Sequence, residues 1–123
     1  MSEREVKTRV KLLLISMCLR PDRRGFVLLV DAITAQAMHE TSMNVVYRVM
    51  ERRYNQTRAC MERSMRLCIG DLDHEAFARQ INEITGYNVI SESVKVSCNC
   101  FIAMMAEVLD IAYGLSESFK EER

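Results

Sequence analysis

The chain has 123 residues, 49% of them apolar and 28% charged, with four glycines and one proline; this excludes a disordered, collagen-like or linker-rich chain and is long enough for one core without disulfide or metal support. Formal charge cancels, yet it is sorted: seven basic against three acidic residues give 1–24 a charge of +4, residues 25–47 carry −2, six against two give 48–66 +4, and four against ten give 67–123 −6. Folded, such a chain presents one positive and one negative face, and a positive face is the electrostatic footprint of a phosphate-binding surface.

Periodicity is helical nearly throughout, with no repeat, low-complexity tract or interdomain linker. The first helix is predicted over 3–19, with Val6, Val10, Leu13, Leu14 and Met17 on one face, Arg4, Lys7 and Lys11 on another, and Pro21 as the stop. Its apolar run 12–19 does not read as a secretion signal. Glu3 and Glu5 precede it, Arg20, Asp22, Arg23 and Arg24 follow without a small-residue cleavage site, and Met17 stands where lipid attachment at Cys18 would want a small residue. At eight residues it is also too short to span a bilayer.

A second helix, to about residue 40, carries Phe26, Leu29, Val30, Ile33 and Ala37 as its core face. Ser42 can cap a third, with Val45, Val46, Val49 and Met50 inward, ending at Tyr54-Asn55. Asn55 can take the left-handed conformation of a tight interhelical turn. Thr57 is the predicted cap of a fourth helix reaching about Leu72, with Gly70 near its end. Asp73 is the predicted cap of a fifth, with Phe77, Ile81 and Ile84 inward and Gly86 as its stop. Residues 87–98 read as an irregular connection. From Asn99 a last helix carries Phe101, Ile102, Met105, Val108, Leu109 and Ala112 as its apolar stripe. The expected fold is all-α, a six-helix bundle within a single domain over 1–123.

Five cysteines, Cys18, Cys60, Cys68, Cys98 and Cys100, form an odd set without C-x-x-C spacing, which favours reduced thiols and a soluble cytoplasmic chain. Cys98-Asn99-Cys100 does not make a metal site, because metal sites need four well-spaced ligands and His39 and His74 belong to other segments. The nine methionines at helical spacings suit plastic core filling. Neither histidine stands with a serine or cysteine and a carboxylate, and no Gly-rich phosphate loop occurs, so no enzyme and no cofactor are expected.

The third and fourth helices, joined at 54–56, resemble a helix-turn-helix, whose second helix lies in the DNA major groove. At about 100° per residue, Arg58, Ala59, Glu62, Arg63 and Arg66 share one side of the fourth helix; Thr57, Met61, Ser64, Met65 and Cys68 share the other. Guanidinium forks match guanine O6 and N7, and a carboxylate accepts from cytosine N4. Arg63 and Glu62 are therefore the base-reading candidates, with Arg58 beside them. Arg52, Arg53 and Arg66 suit the DNA backbone, and the free N–H groups behind Thr57 suit an anion.

Tyr54-Asn55-Gln56-Thr57, then Met61-Glu62-Arg63-Ser64-Met65-Arg66 and Ile69, resemble the recognition helix of the C-terminal effector domain family of stage 0 sporulation protein A, whose pattern is Y-N-x-T, three variable residues, then V-E-R-A-I-R. Pro21, Gly25-Phe26, Leu29 and Ala32-Ile33 match its first turn and second helix. Val45-Val46-Tyr47 resembles its V-L-Y, Gly86-Tyr87-Asn88-Val89 its G-Y-T-V, and Phe101-Ile102-Ala103-Met104 its F-I-A-M, all in one register. The resemblance implies a six-helix domain that binds double-stranded DNA as a transcriptional regulator, forms a homodimer on tandem sites and contacts RNA polymerase sigma factor. That last surface corresponds to 76–89, with Gln80, Thr85 and Val89 as contact candidates. The family's receiver domain has no counterpart here, so the chain is expected to be a standalone relative or an excised fragment.

Departures bear on what is recognised. Cys60 stands where the family places a base-contacting arginine, for which Arg58 is the partial substitute. Arg48 and Glu51 replace a proline and a small alanine at a helix crossing, where a carboxylate is costly unless it reaches a partner or water. Cys98 and Cys100 replace an asparagine and a glutamate. The competing expectation is a helical interaction module that binds sigma factor or a related regulator without reading DNA sequence.

Overall fold

The computed structural model describes residues 1–39, 41–87 and 96–115. They form six helices: α1 Glu3–Ser16, α2 Arg24–His39, α3 Met43–Tyr54, α4 Arg58–Ile69, α5 His74–Thr85 and α6 Cys98–Tyr113. The described residues contain no strand, and no helix among them is long and apolar enough to cross a membrane.

Capping explains most boundaries. Ser2 and Glu5 close a reciprocal capping box on α1. Ser42, Thr57, Asp73 and Ser97 each accept a backbone N–H from the first turn of α3, α4, α5 and α6. The stop of α1 corrects the sequence reading: it lies at Ser16, ahead of Pro21. Cys18 takes φ +72°, its N–H reaches the Ile15 carbonyl at 2.9 Å, and the Leu19 N–H reaches the Leu14 carbonyl at 3.1 Å. This paired closure ends a helix without proline, and buried Leu19 seals it. Helix α4 likewise stops at Ile69, short of Leu72, while α6 starts one residue earlier than expected, behind Ser97.

Helix α2 is the axis of the bundle, packed against α1, α3, α4 and α6, and α5 lies on α6. Its predicted face of Phe26, Leu29, Val30, Ile33 and Ala37 is buried, and so are Leu28 and Ala32. A helix enclosed on most sides has to be apolar around most of its circumference. Gly25 lets α4 approach closely, since a Cβ there would lie 2.1 Å from the Ser64 carbonyl oxygen. Met61, Met65 and Cys68 of α4 are fully buried, and Phe77 of α5 meets Phe101 of α6 with ring centroids 5.6 Å apart.

Three face assignments need correction. Val45 and Val49 are 39% and 48% exposed; Val46 and Met50 are buried as expected, and Tyr47 joins them. With Tyr47 at 1% exposure, the buried face of α3 is rotated by about one residue from the predicted one. Ala112 lies beyond the packed part of α6 and is exposed, whereas Ile84, half-buried, packs against the core as expected. Of the connection predicted over 87–98, residues 88–95, including Val89, lie outside the described residues.

Candidate nucleic-acid interface

Helices α3 and α4 meet through Asn55, which adopts the left-handed conformation at φ 53° and ψ 47°. Thr57 Oγ1 then accepts the Cys60 N–H at 3.2 Å. The buried methionines hold α4 from behind, so Ala59, Cys60, Arg63, Arg66 and Leu67 are exposed, while Arg58 and Glu62 are half-buried.

The predicted arginines divide into two groups. Arg52, Arg63 and Arg66 are exposed and their side chains have no hydrogen bond or ion pair among the described residues. Arg48 belongs with them. Arg58 and Arg53, by contrast, have internal partners. The Arg58 guanidinium donates to Asn44 Oδ1 at 2.8 Å, lies 4.2 Å from the Tyr47 ring centroid and stands 3.7 Å from Glu62. Arg53 is 3.3 Å from Asp31, a carboxylate only 8% exposed. Lys7 reaches the same carboxylate at 3.3 Å, and the Tyr54 hydroxyl donates to it. One buried acid on α2 therefore ties α1 and the end of α3 to the core.

The start of α4 departs from expectation in a second way. The Arg58 N–H donates to Glu51 Oε2 at 2.9 Å and Cys60's to Thr57, so an internal carboxylate occupies part of the predicted anion site. Favourable charge at a helix N-terminus comes here from Glu51. The same contact supplies the partner that a carboxylate at this crossing needs, and it links α3 to α4 across the turn.

Sequence reasoning missed Tyr47, Asn44, Asn99 and Asp31. The Tyr47 hydroxyl donates to Asn99 Oδ1 at 2.9 Å, joining α3 to α6, and burial pushes its titration above the usual tyrosine range. Burial and the hydrogen bond to Asp31 do the same for Tyr54. The three- and four-residue spacing of Tyr47, Met50 and Tyr54 was an available signal for this face. Nothing local marked Asp31, whose partners lie on other helices.

On the second predicted surface, Gln80 and Thr85 are half-buried on α5. Thr85 donates to the Ile81 carbonyl at 2.9 Å and accepts the Tyr87 N–H at 3.3 Å, so its hydroxyl closes the helix.

Six helices, a tight α3–α4 turn and arginines projecting from the outer side of α4 define a helix-turn-helix domain of the DNA-binding class. The family model described as "Sporulation initiation factor Spo0A C terminal" matches residues 10–109, and the chain belongs to that family. This is a family of DNA-binding effector domains in transcription regulation and sporulation, so DNA binding is assigned at family level. No curated protein and no solved structure matches the chain significantly.

Proposed function

We propose that this chain is a sequence-specific transcriptional regulator, a single effector-type domain that reads the major groove of double-stranded DNA with α4. The observation that carries the reading is Arg63: it is exposed on the face of α4 opposite Met61, Met65 and Cys68, and no carboxylate among the described residues pairs with it. Glu62 is the second base-reading residue, and Arg58 acts from a position held by Asn44 and Tyr47. Arg52, Arg66 and Thr57 contact the phosphate backbone. Arg53 does so with the donors that Asp31 leaves available.

A contact to RNA polymerase sigma factor falls to the surface around Gln80, Thr85 and Val89, and a homodimer forms on tandem sites. The regulator works in the cytoplasm. Selection of bound duplexes from a random pool tests the proposal: a recovered motif, in two copies at helical-turn spacing, is expected for a dimeric reader. Recovery of no motif would sink it.

The pairing of Arg53 and Arg58 inside the molecule favours a second reading, an interaction module that retains the bundle without reading sequence. Binding to mixed duplex DNA that weakens steeply with salt supports the DNA reader. No binding at low salt supports the module.

A further inference from the structure

Tyrosine and cysteine side chains aside, Asp31 and Thr34 are the two polar side chains buried among the described residues, and both line one cleft between α1, α2 and α3. Its volume is about 350 Å³, within the usual range for small-molecule sites. The wall contributed by α3 holds Val45 and Val49, the valines that the sequence pattern assigns to the core and the fold leaves 39% and 48% exposed. Thr34 Oγ1 has no hydrogen-bond partner among the described residues.

Formal charge at the polar end cancels, Lys7 and Arg53 against Asp31 and Glu3, which also lines the cleft, but the donors are not all used. Asp31 already receives Lys7, Arg53 and the Tyr54 hydroxyl. Arg53 uses one N–H on Asp31, leaving four of a guanidinium's five donors, and Lys7, which also pairs with exposed Glu3, keeps donor capacity. Surplus donors beside an apolar wall suit an acceptor with an apolar body. We propose that this cleft binds a small organic acid, its carboxylate against Lys7 and Arg53 and its apolar body against Val45 and Val49. The site does not rest on the reading of DNA by α4, but it shares Arg53 with the proposed phosphate contact, both drawing on the donors that Asp31 leaves available.

Methyl NMR of the full chain, titrated with hexanoate and with phenylacetate, tests the proposal, with hexan-1-ol and hexylamine as neutral and cationic counterparts. Saturable shifts of the Val45, Val46 and Val49 methyls are expected with the acids, with hexanoate binding about tenfold or more tighter than hexan-1-ol because its charge is paired. Val49→Trp fills the cleft from an exposed position, so it should abolish the Val45 response while the helical circular dichroism and melting temperature hold. Lys7→Met should weaken hexanoate and leave hexan-1-ol unchanged. The proposal is overturned if neither acid gives saturable shifts there, if the alcohol binds as well as the acid, or if folded Val49→Trp still binds hexanoate.

Discussion

The guanidinium carbon of Arg58 lies 4.2 Å from the centroid of the Tyr47 ring, so the first residue of α4 is stacked on the buried face of α3. A cation over an aromatic face contributes about 0.5–2 kcal/mol, depending on desolvation. The pair stabilises the turn and holds the guanidinium of Arg58 in one place. Tyr47→Phe keeps the ring and loses the bond to Asn99, and should cost about 1 kcal/mol in urea unfolding. A double-mutant cycle of Tyr47→Leu with Arg58→Ala should show a coupling of about 0.5–1 kcal/mol. Strict additivity would mean that the stacking contributes nothing.

Arg63 and Arg53 should behave differently in DNA binding. Arg63→Ala is expected to cost about 1–3 kcal/mol on the matched duplex and relax preference at one base pair. Its effect on unfolding should stay within about 0.5 kcal/mol, because the side chain is exposed and has no partner among the described residues. Arg53→Ala should weaken all duplexes equally, lower the salt slope by about 1 and lose up to about 1 kcal/mol of stability with the half-exposed ion pair to Asp31. Titrations on matched and mismatched duplexes, paired with urea curves, separate the two roles.

Gly25→Ala should lower stability by about 1–3 kcal/mol, the usual range for overpacking. The added carbon would lie 2.1 Å from the Ser64 carbonyl oxygen and 2.8 Å from the Met65 Cα, both backbone atoms of α4. Relief therefore requires moving the whole helix. A thermal melt reads the loss, and an unchanged midpoint would show that α2 and α4 do not approach as described.

Burial divides the five thiols. Cys18, Cys60 and Cys100 are exposed and should react with a thiol reagent in the native state, whereas Cys68 and Cys98 should react only after unfolding. Burial pushes the Cys68 thiol up from 9.0 to about 11. A raised folded value favours the protonated native form, so this contribution is fully present below about pH 9 and is lost as pH rises towards 11. Unfolding curves between those limits should fall less steeply for Cys68→Ala than for the parent.

The acid side has the opposite sign. Two Arg23 N–H groups, at 2.8 and 3.1 Å, hold the Asp71 carboxyl below the usual aspartate range. That contribution is present above the ordinary value of 3.8 and is lost as pH falls through the lower folded value. Asp71→Asn should flatten the acid limb of the stability profile. An identical limb would mean that the Arg23 contact is absent in solution.

Much of the fold was legible because caps and turns act within a few residues. Ser42, Asn55, Thr57, Asp73 and Gly86 sit where the sequence reading put them, since each satisfies or releases backbone groups of its own turn. On α4, Met61, Met65 and Cys68 face inward as their spacing requires. The stop of α1 was misread because proline is a conspicuous local signal, whereas a cysteine in the left-handed region is uncommon and carries none. The roll of α3 was misread because adjacent apolar pairs, Val45-Val46 and Val49-Met50, fit two neighbouring faces equally well.

By itself the sequence determined six amphipathic segments, the turns between most of them, the sorting of charge and the apolar and cationic sides of α4, all consequences of period and local hydrogen bonding. Tertiary structure alone decided which charges remained available to a partner. Asp31, Glu51, Asn44 and Tyr47 are separated in sequence from Arg53 or Arg58; packing of α3 on α2 brings Asp31 to Arg53, and folding of α4 back on α3 brings the other three to Arg58. An arginine's availability depends on what lies within a few ångströms of its guanidinium, and a helical wheel contains no information about the neighbouring helix.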